Sequence, residues 1–170
     1  MKALKKFDVH ISSNKVELHP LQYADIQLLR SWRNQDNIRS YYISQKIITF
    51  DEQLLWWKNY KSNKNDYMFL IQPKNSNEKI GAVGLYNIYE KEAEFGRFMI
   101  GNEQYRGQGM ALEACKLILQ FGFTQLCLHR IYLKVIIENI KAKRIYQQVG
   151  FKHIHTEGNV ELHEVLNLSE

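Results

Sequence analysis

Two hydrophobic periods alternate along this chain, and the points where one gives way to the other mark its elements. Residues 1–14 are polar, a frayed end or a short edge strand, and Val16-Glu17-Leu18 reads as a first strand that Pro20 ends. From 23 to 33 the apolar residues Ile26, Leu29 and Trp32 fall at helical spacing with polar residues between them. Thr49-Phe50-Asp51-Glu52 starts a second helix, with Thr49 as N-cap and Glu52 closing a capping box, and this helix runs to about Tyr60. The polar loop 61–66 separates it from a strand at 67–71. A turn at 73–78 and further strands at 79–86 and 92–100 follow. Residues 108–126 are apolar nearly all round, which predicts a helix buried against a sheet rather than lying on a surface. A β-branched strand at 130–137 leads to a helix at 139–149, stopped by Gly150. Two closing strands, 151–155 and 160–168, are joined around Gly158. The order is α+β: a mixed, mostly antiparallel central sheet of about seven strands with about four helices, in one domain over 1–170.

The stretch 93–123 carries the first chemical signal. A short apolar strand runs into the turn-rich Gly101-Asn102-Glu103-Gln104-Tyr105, and then Arg106-Gly107-Gln108-Gly109-Met110-Ala111 opens the long apolar helix. The first turn of a helix leaves backbone N–H groups unpaired and carries partial positive charge, so strand, glycine loop and helix make an anion site. Gly107 and Gly109 allow a ligand to approach the backbone; a plainer reading has them only shaping a tight turn. The Lys-Ser/Thr ending of a P-loop is absent and the spacing is not G-x-G-x-x-G, which argues against a nucleoside triphosphate or a nicotinamide dinucleotide.

Composition narrows the class. Apolar residues at 45% and charged residues at 24% are globular values, and a net charge of +5 favours anionic partners. That charge is spread along the chain, whereas nucleic-acid binding wants a concentrated basic stripe, so no nucleic-acid partner is expected. Cys115 and Cys127 fall in apolar surroundings and read as small buried hydrophobes of a reducing compartment. No apolar run approaches the roughly 18 residues of a membrane span, and the N-terminal residues are too polar after Phe7 for a signal peptide. A cytoplasmic enzyme, with no membrane partner, is the resulting expectation. His153 and His155 would share a strand face, but no third ligand is spaced near them, so no metal is expected.

Arg106-x-x-Gly109-x-Ala111 after a strand, and Asn139-x-x-Ala142-x-x-x-Tyr146 before Gly150-Phe151, together resemble the GNAT superfamily of coenzyme-A-dependent N-acetyltransferases. The resemblance covers most of the chain and is most specific from about 94 to 151. It implies the GNAT fold and acetyl-coenzyme A as co-substrate, with the pyrophosphate on Arg106, Gly107, Gln108, Gly109, Met110 and Ala111. The pantetheine arm would run along Phe98, Met99 and Ile100. Asn139, Ala142 and Lys143 would also face the cofactor, and Tyr146 would protonate the departing thiolate. From spacing alone, Asn139, Ala142 and Tyr146 share one helix face, and Tyr146 could equally be a core residue. The amine must be neutral to attack, which for a lysine-like amine costs roughly 4–5 kcal/mol at neutral pH. Glu94 is the candidate base on this resemblance; Glu92, two residues earlier, or a relay through water are the alternatives. Lys134, Lys141, Lys143 and Arg144 either meet the cofactor's 3′-phosphate or form a solvated face.

The acceptor is read from the N-terminal helices. Arg30, Trp32, Arg33 and Asn34, followed by Arg39 and a tryptophan-bearing helix, look like bacterial nucleotide-amino-sugar N-acetyltransferases of the pseudaminic-acid type. Those enzymes imply a UDP-4-amino-4,6-dideoxy sugar: arginines for a diphosphate, aromatic faces for uracil or sugar, Asn34 for ring hydroxyls. Trp32 and Trp57 read equally as helix-face core. Rival acceptors are spermidine, which wants carboxylates where this region has Arg30, Arg33, Arg39 and Lys46, and a ribosomal-protein N-terminus. A non-catalytic coenzyme-A-binding module is the reading from another class, and the retention of Tyr146 argues against it. Oligomeric state is left open, a homodimer included.

Overall fold

In the computed structural model, residues 5–167 are described, and they form one eight-stranded sheet with helices on both faces. The strands are β1 (Ile11–Ser12), β2 (Val16–Pro20), β3 (Tyr67–Pro73), β4 (Gly81–Tyr89), β5 (Glu92–Ile100), β6 (Arg130–Ile136), β7 (Lys152–Glu157) and β8 (Val160–Leu166). The helices are α1 (Ile26–Arg33), α2 (Asp36–Arg39), α3 (Phe50–Ser62), α4 (Met110–Thr124) and α5 (Ile140–Gln148). The spatial order is β1-β2-β3-β4-β5-β6-β8-β7, antiparallel throughout except for the parallel pair β5–β6.

The α+β class with a mixed, mostly antiparallel sheet is the one the periodicity predicts. The extra strand is the two-residue β1 at the sheet edge, and the extra helix is the four-residue α2, too short to show a period. Pro20 lies inside β2 rather than beyond it, as the last residue, where no further ladder bond is required of its nitrogen. The predicted first helix opens as a 3-10 turn (Tyr23–Asp25) before α1, and position 168 of the predicted last strand lies outside the described residues. The Thr49 capping box forms as expected: Thr49 Oγ1 accepts the Glu52 N–H at 3.2 Å, and Glu52 Oε2 accepts the Thr49 N–H at 2.9 Å.

Every residue of β3 is buried because its two faces serve two cores. Tyr67, Phe69 and Ile71 join Phe95, Ile118 and Phe121 beneath α4, while Met68 and Leu70 join Leu29, Trp32 and Tyr60 beneath α1 and α3. Two expectations fail here. Cys127 is exposed, in a turn with φ of 52°, whereas Cys115 is buried in α4. His153 and His155 do not share a face: β7 faces β8 as His153↔His163 and His155↔Leu162, so a bulge at the intervening residue turns them apart.

The feature that matters most for function is a splay in the sheet. β5 and β6 pair only at Glu92↔Arg130, Ala93↔Ile131 and Glu94↔Tyr132, and from Phe95 onward β5 has no partner on that side among the described residues. Parallel strands that part in this way open a cleft at their C-terminal ends, with α4 starting beside one and α5 beside the other.

Candidate active site

The loop from β5 to α4 is built to leave amides free. The Arg106 N–H bonds the Glu103 carbonyl at 3.1 Å, and the next well-formed bond is from the Glu113 N–H to the Gly109 carbonyl at 3.1 Å. The N–H groups of 107–112 between them bond no other described residue. Gly107 (φ 74°) and Gly109 (φ 77°) hold the left-handed backbone that turns these amides outward, a conformation costly for any residue with a Cβ. Six adjacent donors at the start of a fifteen-residue helix make an anion cradle. The Arg106 side chain braces the loop, donating to the Ile100 carbonyl through Nε (3.2 Å) and Nη2 (3.0 Å) and pairing with Glu103 at 3.0 Å. The loop's root is pinned by Trp32, whose indole lies flat against Gly101 where any Cβ would overlap it.

Across the cleft, Asn139 caps α5, its Oδ1 accepting the Ala142 N–H at 3.3 Å. Lys143 is tied to Glu161 at 2.9 Å and to the Ile137 carbonyl at 3.1 Å, which staples α5 to β8. One turn further, Tyr146 packs against Phe95, Phe98 and Phe151 with ring centroids 5.5, 6.3 and 5.9 Å away, filling the space the strand splay opens. Its hydroxyl has no hydrogen-bond partner among the described residues, and burial holds its pKa well above the ordinary tyrosine value. A phenol so placed keeps its proton and has that proton available to a ligand.

On β5 the two glutamates, which the alternation could not separate, meet different neighbours. Glu92 is ion-paired with Arg130 at 2.9 Å, and Arg130 also binds Glu164. Glu94 accepts instead from neutral donors, Asn87 Nδ2 at 3.0 Å and the Tyr86 hydroxyl at 3.3 Å. Glu94 therefore has no cation partner among the described residues, whereas Glu92 is committed to Arg130.

Beside these groups lies a cavity of about 390 Å³ between α1, the 40–48 loop, α3 and β5. Its walls include Tyr42, Trp56, Met68 and Met99, and its charged lining is Arg33, Lys46, Arg97 and Glu52. Glu52 is ion-paired to Lys46, which with Thr49 draws its carboxyl down to about 2. Arg97 enters by a β-bulge: between the pairs Gly84↔Gly96 and Ala82↔Met99, Arg97 and Phe98 of β5 face the single residue Val83 of β4, and Arg97 takes φ of 51°. Asp66 holds the guanidinium at 2.7 Å, and it lies 4.0 Å over the Tyr86 ring whose hydroxyl bonds Glu94. The Tyr42 hydroxyl donates to the Phe98 carbonyl at 3.2 Å, so the cavity and the Tyr146 cluster share one strand.

Of the residues proposed for the acceptor, the structure brings only Arg33 to the cavity, with its guanidinium 3.8 Å over Tyr42. Trp32 is 5% exposed and belongs to the core. Arg30 and Asn34 clasp the 40–48 loop through the Ile48 carbonyl, Asn34 also accepting the Ile48 N–H at 2.8 Å. Arg39 pairs with Asp36 and the Gln45 carbonyl. Sequence reasoning missed Tyr42 and Arg97, because a loop aromatic and a bulged arginine carry no periodic signal; it placed the pair Trp56-Trp57 in the acceptor region without separating the two, and it is Trp56 that lines the cavity. Among the described residues no group of three or more His, Cys, Asp or Glu is placed to hold a metal ion, and no helix is long and apolar enough to cross a membrane.

Comparison with known proteins gives the arrangement a context. A family profile described as "Acetyltransferase (GNAT) domain" matches residues 15–152. The chain is 31% identical over 142 residues to the spermidine N(1)-acetyltransferase of Escherichia coli K12, covering 82% of this chain and 74% of that enzyme. It is 30% identical over 131 residues to the acetyltransferase PseH of Campylobacter jejuni serotype O:2, covering 77% and 79%. The crystal structure of spermidine N-acetyltransferase from Vibrio cholerae in complex with CoA and spermine superimposes with a TM-score of 0.80 at 27% identity, covering 91% of this chain and 96% of that one.

Proposed function

Because the chain belongs to the GNAT acetyltransferase family and is an acetyl-coenzyme-A-dependent N-acetyltransferase, we propose that its acceptor is the primary amine of a nucleotide-linked amino sugar, the 4-amino group of a UDP-4-amino-4,6-dideoxy sugar. The observation that carries this reading is the charge of the cavity. Three cations, Arg33, Lys46 and Arg97, line it against one carboxylate, Glu52; Lys46 is paired with that Glu52 and Arg97 with Asp66 behind the wall, which leaves Arg33 as the lining cation without a carboxylate partner among the described residues. A polyamine would bring further positive charge to that surface, whereas a diphosphate would find guanidinium and ammonium partners, and a base or sugar ring could stack on Tyr42 or Trp56. The similarity to PseH points the same way, while the similarity to spermidine acetyltransferases favours spermidine as the second reading.

The chemistry follows from the placed groups. The amine loses a proton to Glu94, directly or through a water, and its nitrogen attacks the thioester carbonyl carbon, forming the C–N bond. The C–S bond then breaks, the Tyr146 hydroxyl donates its proton to the departing sulfur, and the surplus proton that the nitrogen sheds on becoming an amide returns through water to the Tyr146 oxygen. The free amides of 107–112 hold the pyrophosphate, and the unpaired edge of β5 around Phe98 to Ile100 lies along the pantetheine arm. The roles of Asn139 and Lys143 are to fix α5, and with it Tyr146, against the sheet.

The test is thiol release from acetyl-coenzyme A with three acceptors side by side: a UDP-4-amino-4,6-dideoxy sugar, spermidine, and an alanine- or serine-starting ribosomal peptide. Turnover with the sugar nucleotide is expected. Turnover with spermidine or the peptide in its place would overturn the acceptor assignment and leave the donor chemistry standing.

A further inference from the structure

The β1–β2 turn reaches the donor loop from a distant part of the chain. Its Ser13 Oγ accepts the N–H groups of Lys15 and Val16, each at 3.1 Å, and the Lys15 carbonyl accepts the Lys74 N–H at 2.9 Å. The Lys15 backbone is therefore fixed on both sides, and its side chain projects over the start of α4. A Cβ added at Gly109 would lie 2.9 Å from Lys15 Nζ and 3.9 Å from its Cε. No carboxylate captures that ammonium among the described residues, since neighbouring Glu17 is bound by Lys74 (2.6 Å) and His19 (3.0 Å). The loop's own cation, Arg106, is turned back onto Ile100 and Glu103.

We propose that Lys15 is a binding residue for the donor's pyrophosphate, closing over the amides of 107–112 and supplying the positive charge that Arg106 does not. The proposal rests on the placement of the pyrophosphate at that loop. It also gives Gly109 a second reason to lack a side chain: a Cβ there would displace the ammonium as well as strain the backbone.

Calorimetric binding of CoA, 3′-dephospho-CoA and pantetheine to the intact chain tests it. Lys15→Ala should weaken CoA and 3′-dephospho-CoA by about tenfold each, Lys15→Glu by more, and Lys15→Arg by little, with pantetheine affinity unmoved. A loss seen with CoA but not with 3′-dephospho-CoA would assign Lys15 to the 3′-phosphate and overturn the proposal. Affinities for all three ligands unchanged from wild type in Lys15→Ala, or a matching loss for pantetheine, would overturn it as well. Gly109→Ala separates the two layers. If that substitution weakens CoA while Lys15→Ala does not, Lys15 alone is wrong; if neither does, the placement of the pyrophosphate is wrong.

Discussion

At the scale of single residues, the roles we propose for Tyr146 and Glu94 move protons in opposite senses, and substitution should separate them. Tyr146 is buried among aromatic rings with an unbonded hydroxyl, so replacing it by phenylalanine removes one oxygen and leaves the packing with Phe95 and Phe151 intact. Tyr146→Phe should lower kcat by about a hundredfold or more, with the affinity for CoA and the melting temperature unchanged. Glu94→Gln should also lower kcat, but a base can be replaced by solution pH. Its rate should climb towards the wild-type value as the acceptor amine deprotonates unaided, while Tyr146→Phe stays low at every pH. Paired pH–rate profiles of the two variants check this, and parallel profiles would refute the division of labour. A further contrast is Glu92, whose ion pair with Arg130 predicts a cost in stability rather than a change in the shape of the profile.

At the scale of elements, the unit that makes the site is β5, its loop and α4, and it is anchored by a contact from outside itself. Trp32 of α1 lies on Gly101, so the loop's take-off angle depends on a helix nearly seventy positions earlier in the chain. Gly101→Ala should cost about 1–3 kcal/mol of stability by overpacking and should weaken CoA through displaced amides, measurable by denaturant unfolding and calorimetry on the same sample. An unchanged CoA affinity would show that Trp32 supports the core and not the loop. This unit was legible in the sequence, because Arg106-x-x-Gly109-x-Ala111 follows a strand, where the glycines alone would have suited a plain turn, and because an apolar run on every helix face demands a sheet to cover it. The acceptor wall was not legible. Its form depends on a bulge at Arg97, on Tyr42 in an aperiodic loop and on which of two adjacent tryptophans faces inward, and these are settled by tertiary register. Arg30, Trp32, Asn34 and Arg39 illustrate the cost: their types suit a nucleotide, yet the structure uses them to hold the loop and the core.

At the scale of the whole molecule, the proton proposed to act at Tyr146 is tied to the stability of the fold. Tyr42, Tyr60, Tyr86 and Tyr146 all have their pKa values raised, chiefly by burial. In the unfolded chain each would ionise near 10, whereas the native state retains these protons to higher pH. The unfolded state thus binds fewer protons above about pH 10, so stability is flat below that value and falls as pH rises through the native values. Tyr146 is one of the four, so burial keeps its proton in place to higher pH than in the unfolded chain. The rate should therefore rise with pH as the amine is freed and then fall only where the sheet itself gives way. Activity and far-ultraviolet circular dichroism followed together from pH 8 to 12 should show one shared alkaline transition (about two units around the phenol's ordinary pKa). A loss of activity well below the structural transition would mean that Tyr146 ionises in the native state, and that its burial is not what keeps the acid protonated.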